Sequence, residues 1–306
     1  MSIHLKVEHL SHRYATAWAI HDINFEINTT GIVGLLGSNG AGKSTTMNII
    51  CGVLKQTEGD VFINGMNLKE DPLQVKRQIG FLPQTAPLHL ESTVEEYLTY
   101  AAHLRFIDKM KVKQAVAEAM DKTGVAHFSS RLIRNLSGGY RQRVGIGQAI
   151  IHKPSIVVLD EPTNGLDPNQ IIEARRLIQR IGQEHIVLLS SHVLTEINLL
   201  CRDVIMIENG RIVFTDSMDA FNNYVQPTSL LAVMENPPAS AELLTIDGVG
   251  KVEFLTQKKC RIYFSNKSNI AETIIAASIA RGWRLQEINL ERSLLDDVFK
   301  ELSVQP

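Results

Sequence analysis

Cysteine is scarce in this chain. Cys51, Cys201 and Cys260 are the only three in 306 residues, an odd number, far apart and without metal-ligand spacing. That pattern excludes a disulfide framework or a zinc ribbon, and the thiols read as small apolar side chains of a reducing compartment. An excess of one charge is also lacking: 31 basic and 33 acidic residues leave a net charge of -2. A dedicated nucleic-acid binder would show a basic balance or a basic face, so no nucleic acid is expected as partner. No apolar run approaches the roughly 18 residues needed to span a bilayer. The first residues, SIHLKVEHL, alternate apolar Ile3, Leu5 and Val7 with polar neighbours, as a strand does and a signal peptide does not. The expectation is a cytoplasmic chain whose membrane role, if it has one, passes through another polypeptide. With 44% hydrophobic and 21% charged residues, it has the composition of a globular protein with one sizeable domain and a smaller one.

What is present is more specific. Residues 37–44 read GSNGAGKS, a full match to the phosphate-binding pattern G-x-x-x-x-G-K-[ST], preceded by the β-branched run IVGLL. Glycines at 37, 40 and 42 let backbone N–H groups turn inward around phosphate oxygens, Lys43 adds a point charge, and Ser44 offers a hydroxyl to magnesium. A helix predicted from Lys43 to about Cys51 places its positive end beneath the phosphates. The cradle comprises Gly37, Ser38, Asn39, Gly40, Ala41, Gly42, Lys43, Ser44 and Thr45, and its ligand is a nucleoside triphosphate.

The hydrophobic pattern organises the rest. Strands are predicted over 3–9, 19–27 and 32–36, a hairpin-like segment over 59–65, and a mostly helical insertion over about 93–135. A helix following Gly139 runs to Pro154, then SIVVLDEP supplies a buried strand. Helix 168–183, strand 186–190, helix 193–201 and a hairpin 203–214 turning at Asn209-Gly210 follow. This alternation predicts an α/β fold with a mostly parallel sheet flanked by helices. Pro227, Pro237 and Pro238 mark a change of texture, placing the boundary between domains 1–222 and 223–306. Beyond it, strands 229–234, 250–256, 259–264 and 283–289 with helices 239–245, 268–281 and 293–302 give the β-α-β-β-α-β order of a ferredoxin-like unit.

Further motifs stand in order along the first 220 residues: FLPQ ending at Gln84, LSGGYRQ at 136–142, IVVLDEP with Asp160 and Glu161, NGLDP with Asp167, and SSH ending at His192. Together with the phosphate loop they resemble the nucleotide-binding subunit of ABC transporters. The resemblance implies a P-loop ATPase of ABC type, with an antiparallel N-terminal β region, a helical subdomain over about 93–135, ATP and Mg²⁺ as cofactors, and a small accessory C-terminal domain. Asp160, at the exit of a buried strand, suits magnesium or its water shell. By resemblance Glu161 is the catalytic glutamate acting on the attacking water, His192 contacts the γ-phosphate, and Gln84 meets magnesium and water while opening the loop toward the membrane partner. Tyr14 resembles the aromatic that stacks on adenine, with Trp18 a nearby competitor.

Ser137, Gly138 and Gly139 lie at a helix N-terminus suited to an anion, and in the family they contact ATP on the opposite subunit. One chain supplies one phosphate loop and one signature, so two composite sites imply a homodimer or a related ATPase partner. Asp167 would lie at that seam or cap the helix starting at Pro168. The remaining expected partner is an integral membrane permease, with the chain peripheral on the inner face of the membrane. Val94, Tyr97, Leu98, Ala101 and Leu104 either line a groove for a short permease helix or pack inside the helical region. The ending LERSLLDDVFKEL is similar to the drug, polysaccharide and gliding-motility exporter branch. A soluble ABC ATPase acting on nucleic acid or ribosomes is disfavoured, because the chain has neither a second cassette nor a long coiled-coil insertion.

Overall fold

In a computed structural model, residues 3–224, 229–265 and 269–291 are described. The chain divides into two compact units, Met1–Met218 and Asp219–Pro306. In the first, β1 (Leu5–Tyr14) and β2 (Ala17–Ile27) pair antiparallel and precede β3 (Gly31–Leu36) and α1 (Lys43–Ile50). Next come β4 (Glu58–Ile63), β5 (Met66–Asn67), α2 (Pro72–Arg77), β6 (Ile79–Leu82), α3 (Val94–Leu104) and α4 (Lys109–Thr123). Two 3₁₀ turns, Ala126–Phe128 and Ile133–Asn135, lead to α5 (Gly138–Ile150). Then follow β7 (Ile156–Asp160), α6 (Pro168–Gly182), β8 (Ile186–Ser191), α7 (Leu194–Leu200), β9 (Asp203–Glu208) and β10 (Arg211–Ser217); α8 (Met218–Tyr224) opens the second unit.

The central sheet has the order β10-β9-β3-β8-β7-β6, and only β10 runs antiparallel to its neighbour. Its inner strands are buried on both faces, which is why β3, β7 and β8 read as near-continuous apolar runs. Register does the functional work: Leu36 stands opposite Ser191, Asp160 opposite Ser190, and Leu82 opposite Leu159. The C-terminal ends of β3, β6, β7 and β8 therefore finish level, and the residues after each meet at one edge. A second sheet, β2-β1-β4-β5, is antiparallel.

The helical region is anchored at Thr93, whose Oγ1 accepts from the Glu96 N–H at 3.2 Å while Glu96 Oε2 accepts from the Thr93 N–H at 2.8 Å. Val94, Tyr97 and Leu98 are buried in its core with Val112, Val116 and Val144, Ala101 is also buried, and Leu104 is 58% exposed. Of the five groove candidates, Val94 and Leu98 pack internally, while Tyr97, Ala101 and Leu104 border a groove beside α3. β1 is longer than the strand expected over 3–9, because register shifts after Val7 and Leu10 let it continue to Tyr14 through polar residues. α2 and β6 have no counterpart in the sequence reading; α2 is signalled by Asp71, which caps Gln74 N–H, followed by Pro72.

In the second unit, β11 (Ser229–Met234), α9 (Ser240–Leu243), β12 (Val249–Phe254), β13 (Lys259–Phe264), α10 (Ile270–Arg281) and β14 (Leu285–Glu291) form an antiparallel sheet of order β12-β13-β11-β14. Leu230, Ala232, Met234, Ile262, Ile274 and Trp283 build its core. This is the ferredoxin-like arrangement. The helix expected over 293–302, and with it the exporter-like ending, lies outside the described residues.

All three cysteines are free and buried, and burial raises every thiol, Cys260 to about 11 and Cys51 and Cys201 well above the ordinary thiol value. Burial also holds His152 down at about 4, aided by the Arg105 guanidinium and opposed by its contact with Ile79 O at 3.1 Å. The folded chain therefore keeps His152 neutral where the unfolded chain, titrating near 6.5, takes up a proton. Stability present above pH 6.5 is lost as pH falls toward 4. Urea denaturation across that window should show a shallower pH dependence for His152→Gln than for wild type.

Candidate active site

The phosphate loop joins β3 to α1. Gly42, the residue before α1, has φ 110°, and a Cβ there would meet Ile20 Cγ2 at 2.5 Å and Ala19 O at 2.9 Å. Glycine is thus required both by the left-handed backbone and by β2 packed against it. Lys43 is only 5% exposed, and its Nζ donates to the carbonyls of Gly37 and Ser38, both at 2.9 Å. Burial lowers its pKa, while Glu161, Asp160 and Glu208 pull it back up. Asn39, Gly40 and Ser44 are exposed and Thr45 is half-buried, so the loop presents its outer surface to a ligand. Ala41 is buried.

Strand β7 delivers Asp160, 3% exposed, with Glu161 directly after it at φ 47°. That left-handed turn is costly for a glutamate and is held by hydrogen bonds. Ser190 Oγ, fully buried on β8, donates to Asp160 Oδ1 at 2.6 Å and accepts from the Glu161 N–H at 2.8 Å. Three side chains converge on the Glu161 carboxylate. Gln84 Nε2 and Asn164 Nδ2 donate to Oε2 at 3.2 and 3.1 Å, and His192 Nδ1 lies 2.9 Å from Oε1. A carboxylate only accepts, so Nδ1 carries the proton and His192 projects Nε2 away from Glu161. His192 stays 43% exposed, whereas the Glu161 side chain is 11% exposed.

Lys43, Gln84, Asp160, Glu161 and His192, from four separate strand ends, thus belong to one site. The segment Ser137, Gly138 and Gly139 makes its contacts elsewhere. Ser137 caps α5 by accepting from the Tyr140 N–H, and a Cβ on Gly139 would meet Gln170 Cδ of α6 at 2.7 Å. Asp167 caps α6, its Oδ1 accepting from the Gln170 N–H at 3.0 Å. Tyr14 ends β1, 54% exposed and edge-on to His12; Trp18, 43% exposed, lies under the Arg13 guanidinium. Ser190, Asn164 and Glu208 are partners that sequence reasoning missed. Glu208 accepts from Ser38 Oγ at 2.8 Å. Only Ser190 and Asn164 carried a signal, as neighbours within SSH and NGLDP.

The chain was compared with known proteins. The family described as ABC transporter matches residues 20–164. The bacitracin transport ATP-binding protein BcrA of Bacillus licheniformis is 35% identical over 215 residues, 70% of this chain and 69% of that protein. The chain belongs to the ABC transporter family, among its ATP-binding subunits. Another ABC relative, the linearmycin resistance ATP-binding protein LnrL of Bacillus subtilis, is 26% identical over 304 residues, 95% of this chain and 97% of that protein. A solved ATP-binding subunit of an ABC transporter superposes with TM-score 0.65 at 29% identity, covering 72% of this chain and 92% of that one. Among the described residues of this ABC subunit, no helix is long and apolar enough to cross a membrane.

Because Ser190 serves both Asp160 and the Glu161 backbone, Ser190→Ala leaves a buried carboxylate and a buried N–H each short of a partner. Chemical denaturation of the variant ABC subunit should show a loss of about 1–3 kcal/mol.

Proposed function

We propose that this ABC subunit binds and hydrolyses ATP as a head-to-tail dimer and thereby energises a separately encoded membrane permease, most consistently an exporter. The observation that carries the reading is the convergence of Gln84, Asn164 and His192 on the Glu161 carboxylate, beside Asp160 and the buried Lys43.

Residues 37–45 cradle the phosphates, with Lys43 Nζ turning its donors from the Gly37 and Ser38 carbonyls toward phosphate oxygens. Tyr14 supplies the adenine platform. Glu161 orients the attacking water and takes its proton; its carboxylate is already held within hydrogen-bond reach of Gln84 and His192. His192 then faces the γ-phosphate with Nε2. The donor set also fits Mg²⁺: Asp160 and the Ser44 hydroxyl are hard oxygen ligands, and Gln84 adds an amide oxygen. No group of three His, Cys, Asp or Glu side chains among the described residues is placed to hold a metal. When bound there, magnesium neutralises charge on the phosphate oxygens. Ser137, Gly138 and Gly139, opening α5, are the donors offered to ATP on a second copy or a related subunit.

For the permease, the supporting feature is a groove of about 520 Å³ lined by α2, α3 and the segment after Gln84, including Leu73, Tyr100, Leu104 and Phe106. Those four side chains are 53%, 48%, 58% and 66% exposed, an apolar concentration rimmed by Arg77 and Arg105. Docking there would make the protein peripheral on the inner membrane face. The names of BcrA and LnrL, bacitracin transport and linearmycin resistance, support export. The 223–306 domain carries no catalytic constellation among its described residues, and its proposed role is regulation or dimer support.

Glu161→Gln should retain ATP in equilibrium binding while phosphate release falls about 10²–10⁴-fold. Wild-type turnover in that variant would overturn the assignment. Pull-down of the ATP-loaded Glu161→Gln protein from detergent-solubilised membranes of its native cells, read by mass spectrometry, should return a stoichiometric integral membrane protein. Leu104→Asp combined with Phe106→Asp should abolish that capture and leave basal ATP hydrolysis intact; ribosomal or nucleic-acid partners alone would refute the transporter role.

A further inference from the structure

In the first turn of α7 sits a third withdrawn carboxylate, Glu196, 7% exposed. It does not cap its own helix: α7 has no side-chain hydrogen bond at its N-terminus. Its Oε2 instead accepts from Thr163 Oγ1 at 2.7 Å and from Ser191 Oγ at 3.1 Å, and its Oε1 lies 3.5 Å from Arg175 Nη2 on α6. Thr163 and Ser191 are themselves buried, and Ser191 Oγ also accepts from the Val193 N–H at 3.0 Å.

The three partners are placed with respect to the chemistry. Thr163 follows Glu161 by two residues, Ser191 immediately precedes His192, and Arg175 belongs to the helix capped by Asp167. Burying a carboxylate is costly, and for stability alone an apolar side chain of similar volume would serve as well or better. What an apolar residue cannot do is accept two hydroxyl hydrogen bonds from two different loops at once. We infer that Glu196 is a positioning residue for hydrolysis, which ties the loop carrying Glu161 to the strand end carrying His192 and so fixes the 2.9 Å contact between them. In this role it acts through Thr163 and Ser191. The inference rests on the ATPase reading of the Glu161 site.

The test compares Glu196→Leu and Thr163→Val with wild type in steady-state ATP hydrolysis, alongside thermal unfolding. Because both hydroxyls donate to the same oxygen, a glutamine could still accept both, whereas Glu196→Leu keeps a similar volume and removes the acceptor; Thr163→Val removes only the hydroxyl. Both should lower kcat about tenfold or more with the KM for ATP within about twofold, since misplacing a catalytic group affects turnover rather than ground-state binding. Their melting midpoints should stay within a few degrees of wild type. In a His192→Ala background the Glu196→Leu effect should shrink, because the contact it aligns is gone. The inference is overturned if kcat in both variants stays within about twofold of wild type, if KM rises as much as kcat falls, if the loss is the same in both backgrounds, or if activity falls only in step with the melting midpoint. Wild-type protein that fails to hydrolyse ATP, or Glu161→Gln that turns over at the wild-type rate, removes the parent reading and the inference together. A normal wild type with an unaffected Glu196→Leu removes the inference alone.

Discussion

Two carboxylates stand on consecutive residues, and the rest of the site is arranged around the electrostatic cost of that placement. Asp160 and Glu161 are both largely withdrawn from solvent, where like charges repel far more strongly than in water. Lys43 answers them from the phosphate loop. Burial weakens its hold on a proton and the nearby carboxylates restore it, so each side depends on the other. The remaining lone pairs are met by neutral donors: the Ser190 hydroxyl on Asp160, and the side-chain amides of Gln84 and Asn164 on Glu161. Neutral donors stabilise the carboxylates without cancelling their charge, which leaves Glu161 able to attract a proton and Asp160 able to attract a cation.

Such an arrangement demands a scaffold that brings four chain segments to one edge with little error. The parallel register of β3, β6, β7 and β8 does so, and the short loops after each strand inherit its rigidity. Glu161 at φ 47° marks where that scaffold forces an unfavourable backbone conformation and keeps it with a buried serine from the adjacent strand. The central strands are uniformly apolar because their own positions are hidden; their chemistry is exported to the residue or two beyond each end.

That export explains what could be read in advance. Asp160 and Glu161 close the apolar run IVVL, His192 stands two serines beyond the run IVLL, and GSNGAGKS is contiguous, so chemistry and location were visible together. The partners were not. Glu208 reaches Ser38 across 170 residues and Glu196 reaches Thr163 across 33, separations that only the strand order brings together. The helical region was legible as helices, yet helical spacing alone does not say which stripe faces inward: Val94 and Leu98 are fully buried while Leu104 faces out. β6, only four residues long, lacked the length that makes a strand conspicuous. Tyr14 lay beyond the strand expected over 3–9 because bulges carry β1 through SHRY, a stretch whose polarity conceals its extended backbone.

The state of the three thiols has a practical bearing. Each is buried with its proton held more tightly than in free cysteine, so little thiolate exists near neutral pH to meet an alkylating reagent. The native chain is therefore a quiet background for site-directed labelling: one cysteine introduced at an exposed position away from the site, such as the surface residue Met110, would take a spectroscopic probe selectively. Distances between probes on two copies could then be followed without first stripping out the natural cysteines.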